Sequence, residues 1–99
     1  MMSAKRGTAV NDEFAQGVKN SISSQLNGMG VSVSDNPSSL IFRSKPFRFG
    51  TSVEEAANTV INDVAPMYNF DFTGKSYYIG NVEKFDNGYV VTVGWTRWN

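Results

Sequence analysis

The chain contains no cysteine and no histidine, and only three of its 99 residues are proline. Without cysteine it can form no disulfide, thiolate metal site or cysteine nucleophile. Without histidine it lacks the usual proton shuttle and the commonest transition-metal ligand. Nine basic and nine acidic residues give a formal net charge of zero, so the chain also lacks the basic excess of most nucleic-acid-binding proteins. We therefore expect no cofactor and no bound metal.

The chain also has no apolar run long enough for a signal peptide or a transmembrane helix. We expect residues 1–8 to be a flexible tail ahead of a single domain at residues 9–99. The predicted location is the cytoplasm, with no membrane partner. Valine is frequent and aromatic residues make up 13% of the chain, a mixture that favours pleated sheet.

The carboxylates do not form a recognisable catalytic pair. Helix caps and turns account for most of them, and Asp63 and Asp71 are the least explained. Neither of these two has a base partner at a suitable spacing, and Ser76 has no histidine that could activate it. We therefore predict that the protein is not an enzyme and has no catalytic residues.

Two segments have the signals of amphipathic helices. In the first, residues 11–13 supply an N-cap candidate and acids, and large apolar residues recur every fourth position from Val10 to Leu26. In the second, Ser52 is followed three residues later by Glu55, which is the capping-box pattern. Pro66 should end this second helix.

Two further regions alternate between apolar and polar residues. The runs at 31–34 and 39–43 flank a turn-forming cluster and predict a hairpin that ends before Pro46. Residues 76–98 predict a second hairpin with its turn at Asn87-Gly88, since both residues tolerate the positive φ of a type I′ turn. The predicted fold is therefore α+β in the order αββαββ, with two helices packed on one face of a four-stranded, mostly antiparallel sheet.

The second predicted hairpin has one face of unusual composition. Pairing Asp86 with Tyr89 places Val82 and Val93 on the core face. The reverse face then carries more apolar surface than a solvated sheet normally shows. Either another segment of the same chain covers it, or a partner protein or a second copy does. The candidate partner-binding residues on this face are Tyr77, Ile79, Phe85, Val90 and Trp98.

Residues 42–49 interleave three cations, Arg43, Lys45 and Arg48, with three phenylalanines. This pattern suits single-stranded nucleic acid, because bases stack on rings while cations follow the phosphates. A strand with its phenylalanines inward and its cations in water gives the same pattern. The neutral charge of the whole chain favours the second interpretation.

A short chain rich in asparagine and serine, with no histidine, cysteine or catalytic motif, is similar in style to the small accessory proteins of phages and mobile elements. Such proteins often block a host protein or help to assemble a particle, and a phage-encoded one would act in the host cytoplasm. We therefore expect a non-enzymatic protein-binding domain that uses an aromatic sheet surface, alone or as a homodimer. The alternative is a single-stranded nucleic-acid-binding protein that uses Arg43, Lys45, Arg48 and the sheet aromatics.

Overall fold

The computed structural model describes residues 7–33, 40–64, 66 and 76–95. Their elements follow the predicted αββαββ order, preceded by one additional short strand. Thr8, the last residue of the predicted tail, already belongs to that strand, whereas residues 1–6 lie outside the described part of the chain. The elements are β1 (Thr8–Val10), α1 (Glu13–Gly28), β2 (Ser32–Val33), β3 (Leu40–Arg43), α2 (Val53–Val64), β4 (Ser76–Phe85) and β5 (Gly88–Trp95).

Four strands form an antiparallel sheet in the order β1-β4-β5-β3, which confirms the predicted α+β fold. The two-residue strand β2 adds to β4 in parallel. Since β5 occupies one edge of β4, β1 and β2 share the other edge. On that edge β1 pairs with Val82–Lys84 and β2 pairs with Ser76–Tyr77.

The first predicted hairpin is wrong, because β2 pairs with β4 and β3 pairs with β5. Alternation of polar and apolar residues identifies a strand and its buried face, but it does not identify the neighbouring strand. The predicted turn at residues 34–39 lies outside the described residues. The break before Pro46 is confirmed, since β3 ends at Arg43.

Both helices begin where their caps predict. The Asp12 carboxylate accepts a hydrogen bond from the backbone N–H of Ala15 at 2.9 Å, which satisfies one free donor at the start of α1. At the start of α2, the Ser52 hydroxyl oxygen accepts from the backbone N–H of Glu55 at 3.2 Å. In return, the Ser52 N–H donates to the Glu55 carboxylate at 3.4 Å, so the capping box is confirmed.

The two helices pack against each other and on one face of the sheet. A Cβ atom at Gly17 of α1 would lie 3.2 Å from a methyl group of Val53, so glycine permits the close approach of α1 to α2. Among the described residues, neither helix is long and apolar enough to cross a membrane.

One hydrophobic core lies between the helices and the sheet. Val82 and Val93, predicted to face the core, are confirmed as buried, and they are joined by Val18, Ile22, Ala57, Val60, Ile61 and Val91. The side chains of Leu40 and Trp95 lie outside the described residues. Val10 belongs to β1 opposite Val82 and not to the apolar stripe of α1. The core also contains Ala15, Leu26, Phe47, Ala56, Val64, Tyr77 and Ile79.

A β-bulge in β4 reverses the predicted faces of half of this strand. Val82 pairs with Val91, but the next pair is Ile79 with Val93, so β4 contains one extra residue between them. One extra residue moves every side chain beyond it to the opposite face of the sheet. Tyr77 and Ile79 therefore lie in the core, and the prediction that they face away from it is wrong.

The bulge occurs where β4 contains a glycine. A Cβ atom at Gly80 would lie 3.0 Å from the carbonyl oxygen of Thr92 in β5. This is tighter than almost all real Cβ contacts, so the backbone approach requires a residue without a side chain.

The turn of the β4–β5 hairpin lies one residue earlier than predicted. Phe85 pairs with Gly88, which leaves Asp86 and Asn87 as the turn. Gly88 belongs to β5 with a φ of 149°, and a Cβ atom there would overlap the carbonyl oxygen of Phe47. Phe47 and Tyr89 exchange two backbone hydrogen bonds of 2.8 and 3.0 Å, and this bridge holds Phe47 against the start of β5.

Candidate functional site

The sheet has a second face, opposite the helices, which we call the open face. Its described residues include Ala9 from β1, Glu83 and Phe85 from β4, and Val90 from β5. Arg43 of β3 joins them, since it pairs with Thr92 beside Val90. Neither described helix packs on this face, because the helices share their core with the opposite side of the same strands.

The structure separates the five predicted partner-binding residues. Phe85 and Val90 lie on the open face, as predicted. Tyr77 and Ile79 lie on the helix side, and Tyr77 has no exposed surface. A partner cannot reach Tyr77 without unfolding the core. Trp98 lies outside the described residues.

Arg43 spans the open face from β3 to β4. Its guanidinium donates to the Glu83 carboxylate at 2.9 Å and lies 5.4 Å from the centre of the Phe85 ring. Because β5 lies between β3 and β4, the Arg43 side chain passes over β5, and Val90 retains only 9% exposure. The apolar centre of the face is thus covered by a side chain that itself remains half exposed.

The N-terminal segment covers another part of Phe85. A Cβ atom at Gly7 would lie 2.5 Å from the ring and 2.7 Å from Cβ of Glu83, so the backbone at Gly7 packs directly on both side chains. The sequence left open whether the same chain or a partner covers this face. The segment at Gly7 covers one side of the Phe85 ring. Phe85 remains half-buried.

A second group of aromatic rings, the aromatic cluster, consists of Phe14, Phe47, Phe49 and Tyr89. The rings of Phe14 and Tyr89 are 4.8 Å apart between centroids, and Phe49 meets Tyr89 edge-on at 5.1 Å. Phe49 is 45% exposed, and the Lys84 ammonium lies 5.5 Å above its ring. This cluster was not predicted. The second strand of the first hairpin was expected to end before Pro46, so Phe47 and Phe49, which follow Pro46, were not assigned to a strand.

The three candidate cations of the nucleic-acid hypothesis lie at different places. Arg43 is paired with Glu83 on the open face. Lys45 is held by Asp63 of α2, whose carboxylate accepts from the Lys45 backbone N–H at 2.9 Å and lies 3.7 Å from its ammonium. Arg48 is exposed.

Two of the three phenylalanines of the same segment point the other way, and the third, Phe49, is 45% exposed. Phe47 is buried and Phe42 packs against the core, while the cations face water. Phe42 and Phe47 match the simpler of the two arrangements expected for residues 42–49, whereas Phe49 does not. The contacts with Lys45 give Asp63 a structural role. Asp71, the other unexplained carboxylate, lies outside the described residues.

Within the described ranges, no three carboxylates lie close enough together to hold a metal ion. No protein-family model, no curated protein and no solved structure matches the chain. The function of the chain must therefore be inferred from the surfaces of the domain itself.

Proposed function

We propose that this chain is a non-enzymatic protein-binding domain that acts in the cytoplasm through the open face of its sheet. The observation that supports it is the placement of Phe85 and Val90 beneath Arg43 on a face without a described helix. Aromatic residues and arginine are the types most enriched at binding hot spots, especially where neighbouring side chains exclude water.

The open face offers its partner an anchor and a preformed polar pair. Phe85 is already fixed by Gly7 on one side and by Arg43 above the ring, so little side-chain entropy remains to be lost on binding. Arg43 and Glu83 neutralise each other. Binding should therefore depend weakly on salt, in contrast to phosphate binding, which weakens steeply as salt rises.

The partner is either another protein or a second copy of the domain. The resemblance in style to phage and mobile-element accessory proteins supports the first, as an inhibitor of a host protein or an assembly factor. A homodimer through the same face is the second form of the proposal, since many sheet surfaces pair across a two-fold axis.

Site-specific photo-crosslinking in the native host tests this proposal. A photoreactive residue at Ala9, which is exposed on the open face, should form a discrete covalent adduct. The matched control has the same residue at Asn58, which is exposed on α2. The variant Phe85→Ala should abolish the adduct at Ala9, because it removes an anchor contact worth about 2 kcal/mol or more.

The products separate the alternatives. An adduct with twice the mass of the chain, together with dimeric sedimentation that Phe85→Ala eliminates, identifies the homodimer. An adduct with a different mass identifies a distinct partner by mass spectrometry. Adducts only from Asn58, or adducts from Ala9 that survive Phe85→Ala, would contradict the proposal.

The nucleic-acid alternative has its own test. Binding of labelled single strands at low salt that is lost when Arg43, Lys45 and Arg48 are reversed to glutamate would favour it. The pairing of two of these cations with carboxylates gives it no support, because the pairs reduce the positive charge presented to phosphate.

A further inference from the structure

A polar cleft of about 350 Å³ lies between α1 and the outer edge of β4. β1 and β2 pair with the two ends of this edge, and no described strand pairs with Tyr78–Asn81 between them. The bulge at Gly80 lies in the same stretch. The cleft therefore opens where pairing along β4 is interrupted, a position where bulges commonly accompany functional sites.

The lining of the cleft is rich in groups that both donate and accept hydrogen bonds. Side-chain amides and hydroxyls dominate it, and two aliphatic side chains complete it. Amides and hydroxyls match the hydroxyl groups of a ligand, which also donate and accept. The polar residues are Gln16, Lys19, Asn20 and Ser23 of α1 with Tyr78 and Asn81 of β4.

Charge in the cleft has one sign. Among the described residues that line the cleft, Lys19 is half-buried and none is a carboxylate, and Lys19 forms no ion pair with any residue that the structure describes. The Gln16 amide donates to the Asn20 side-chain oxygen at 3.1 Å, which orients both amides. Such a site favours an anionic group, because a partly buried cation gains most from a charged hydrogen-bond acceptor.

We propose that this cleft binds a small polyhydroxylated molecule with one anionic group, which is the chemistry of a sugar acid or a sugar phosphate. Lys19 holds the anionic group, and the side-chain amides with the Ser23 hydroxyl bind the hydroxyls. The volume is near the lower end for small-molecule sites and fits a ligand of about one sugar ring. The site is independent of the proposed protein-binding face.

Titration of the full chain with three related sugars, followed by two-dimensional amide NMR, tests the proposal. Glucose, glucuronate and glucose phosphate share a ring and differ in the anionic group. Glucuronate or glucose phosphate should bind at least about tenfold more tightly than glucose, and the difference between the two identifies the anion. The side-chain amide signals of Gln16, Asn20 and Asn81 should shift.

Two matched variants complete the experiment. Lys19→Met keeps most of the aliphatic stem and should weaken binding of the charged sugar about tenfold, to the level of glucose. Lys84→Met removes an exposed lysine outside the cleft and should change nothing. Circular dichroism checks that both variants fold.

Three results would overturn the proposal. The first is that no sugar shifts the amide signals at millimolar concentration. The second is that glucose binds as well as its charged relatives. The third is that Lys19→Met and Lys84→Met weaken binding equally. The last result would indicate non-specific attraction to surface lysines. In each case Lys19 is an ordinary lysine with a buried stem and a solvated ammonium.

Discussion

The two faces of the β4–β5 hairpin use similar residue types in different ways. On the helix side, Tyr77, Val82 and Val91 are fully buried among helix residues. On the open face, Phe85 and Val90 are covered by Arg43 and by the backbone at Gly7. An aromatic ring on a strand can therefore be buried by a second layer of structure or shielded by the side chain of a charged neighbour. Only the second kind of cover can be displaced by a partner without unfolding the domain.

The largest expected effect comes from removing the bulge that creates this difference. Deletion of Gly80 would restore uninterrupted alternation and move Tyr77 and Ile79 to the open face. Exposure of both side chains removes several kcal/mol from a total stability of about 5–15 kcal/mol, so we expect no cooperative thermal transition. A deletion variant that melts cooperatively near the wild-type temperature would show that the bulge does not determine the faces.

Substitutions of two aromatic residues on opposite faces of β4 should differ in their effect on stability. Tyr77→Ala leaves a cavity in the core and should lower the free energy of unfolding by about 3–5 kcal/mol. Phe85→Ala removes a half-buried ring and should cost less than half as much. Urea denaturation of both variants measures the difference, and equal losses would mean that the open face is as tightly packed as the core.

Ser44 should be the most costly small polar residue to replace. It is 5% exposed, and its hydroxyl oxygen accepts from the backbone N–H of Val91 at 3.0 Å. Ser44→Ala leaves this N–H buried without its acceptor, which should cost about 1–3 kcal/mol. The comparison is Ser52→Ala, which removes an exposed helix cap and should cost about 1 kcal/mol. A smaller loss at Ser44 than at Ser52 would argue against this role.

The smallest changes in stability are expected at Arg43 and Lys45. The ion pair of Arg43 with Glu83 is partly exposed, and such pairs contribute about 0–1 kcal/mol. Arg43→Ala should therefore leave the thermal midpoint almost unchanged while weakening the crosslink at Ala9. Lys45→Ala, which removes the exposed ammonium near Asp63, should change neither quantity. If both variants reduce crosslinking equally, the open face has no special role.

Local signals in the sequence predicted both helices, since Asp12, Ser52 and Glu55 bond to backbone groups within their own first turn. Strand pairing depends on distant residues, and for this reason the partner of β2 was not predictable from alternation. One overlooked signal was present. An isolated glycine within a strand pattern indicates a bulge or a close backbone approach, and Gly80 has both.

The candidate site was predictable only in part for the same reason. Phe85 and Val90 lie between the bulge and the turn. The predicted register there is wrong by two residues, and a shift of two residues leaves each side chain on the same face of the sheet. Tyr77 and Ile79 lie beyond the bulge and were assigned to the wrong face. The cover provided by Arg43 depends on β3 lying next to β5, which no short-range pattern encodes.

Every strand pairing in the described sheet includes β4 or β5, the last two of the described elements. During synthesis on the ribosome, β1, β2 and β3 emerge with no strand to join, and both helices emerge with their apolar stripes uncovered. The hairpin therefore acts as a template on which the earlier segments assemble after it appears. Most native contacts then connect residues far apart in the chain, which favours slow folding and a period of dependence on chaperones.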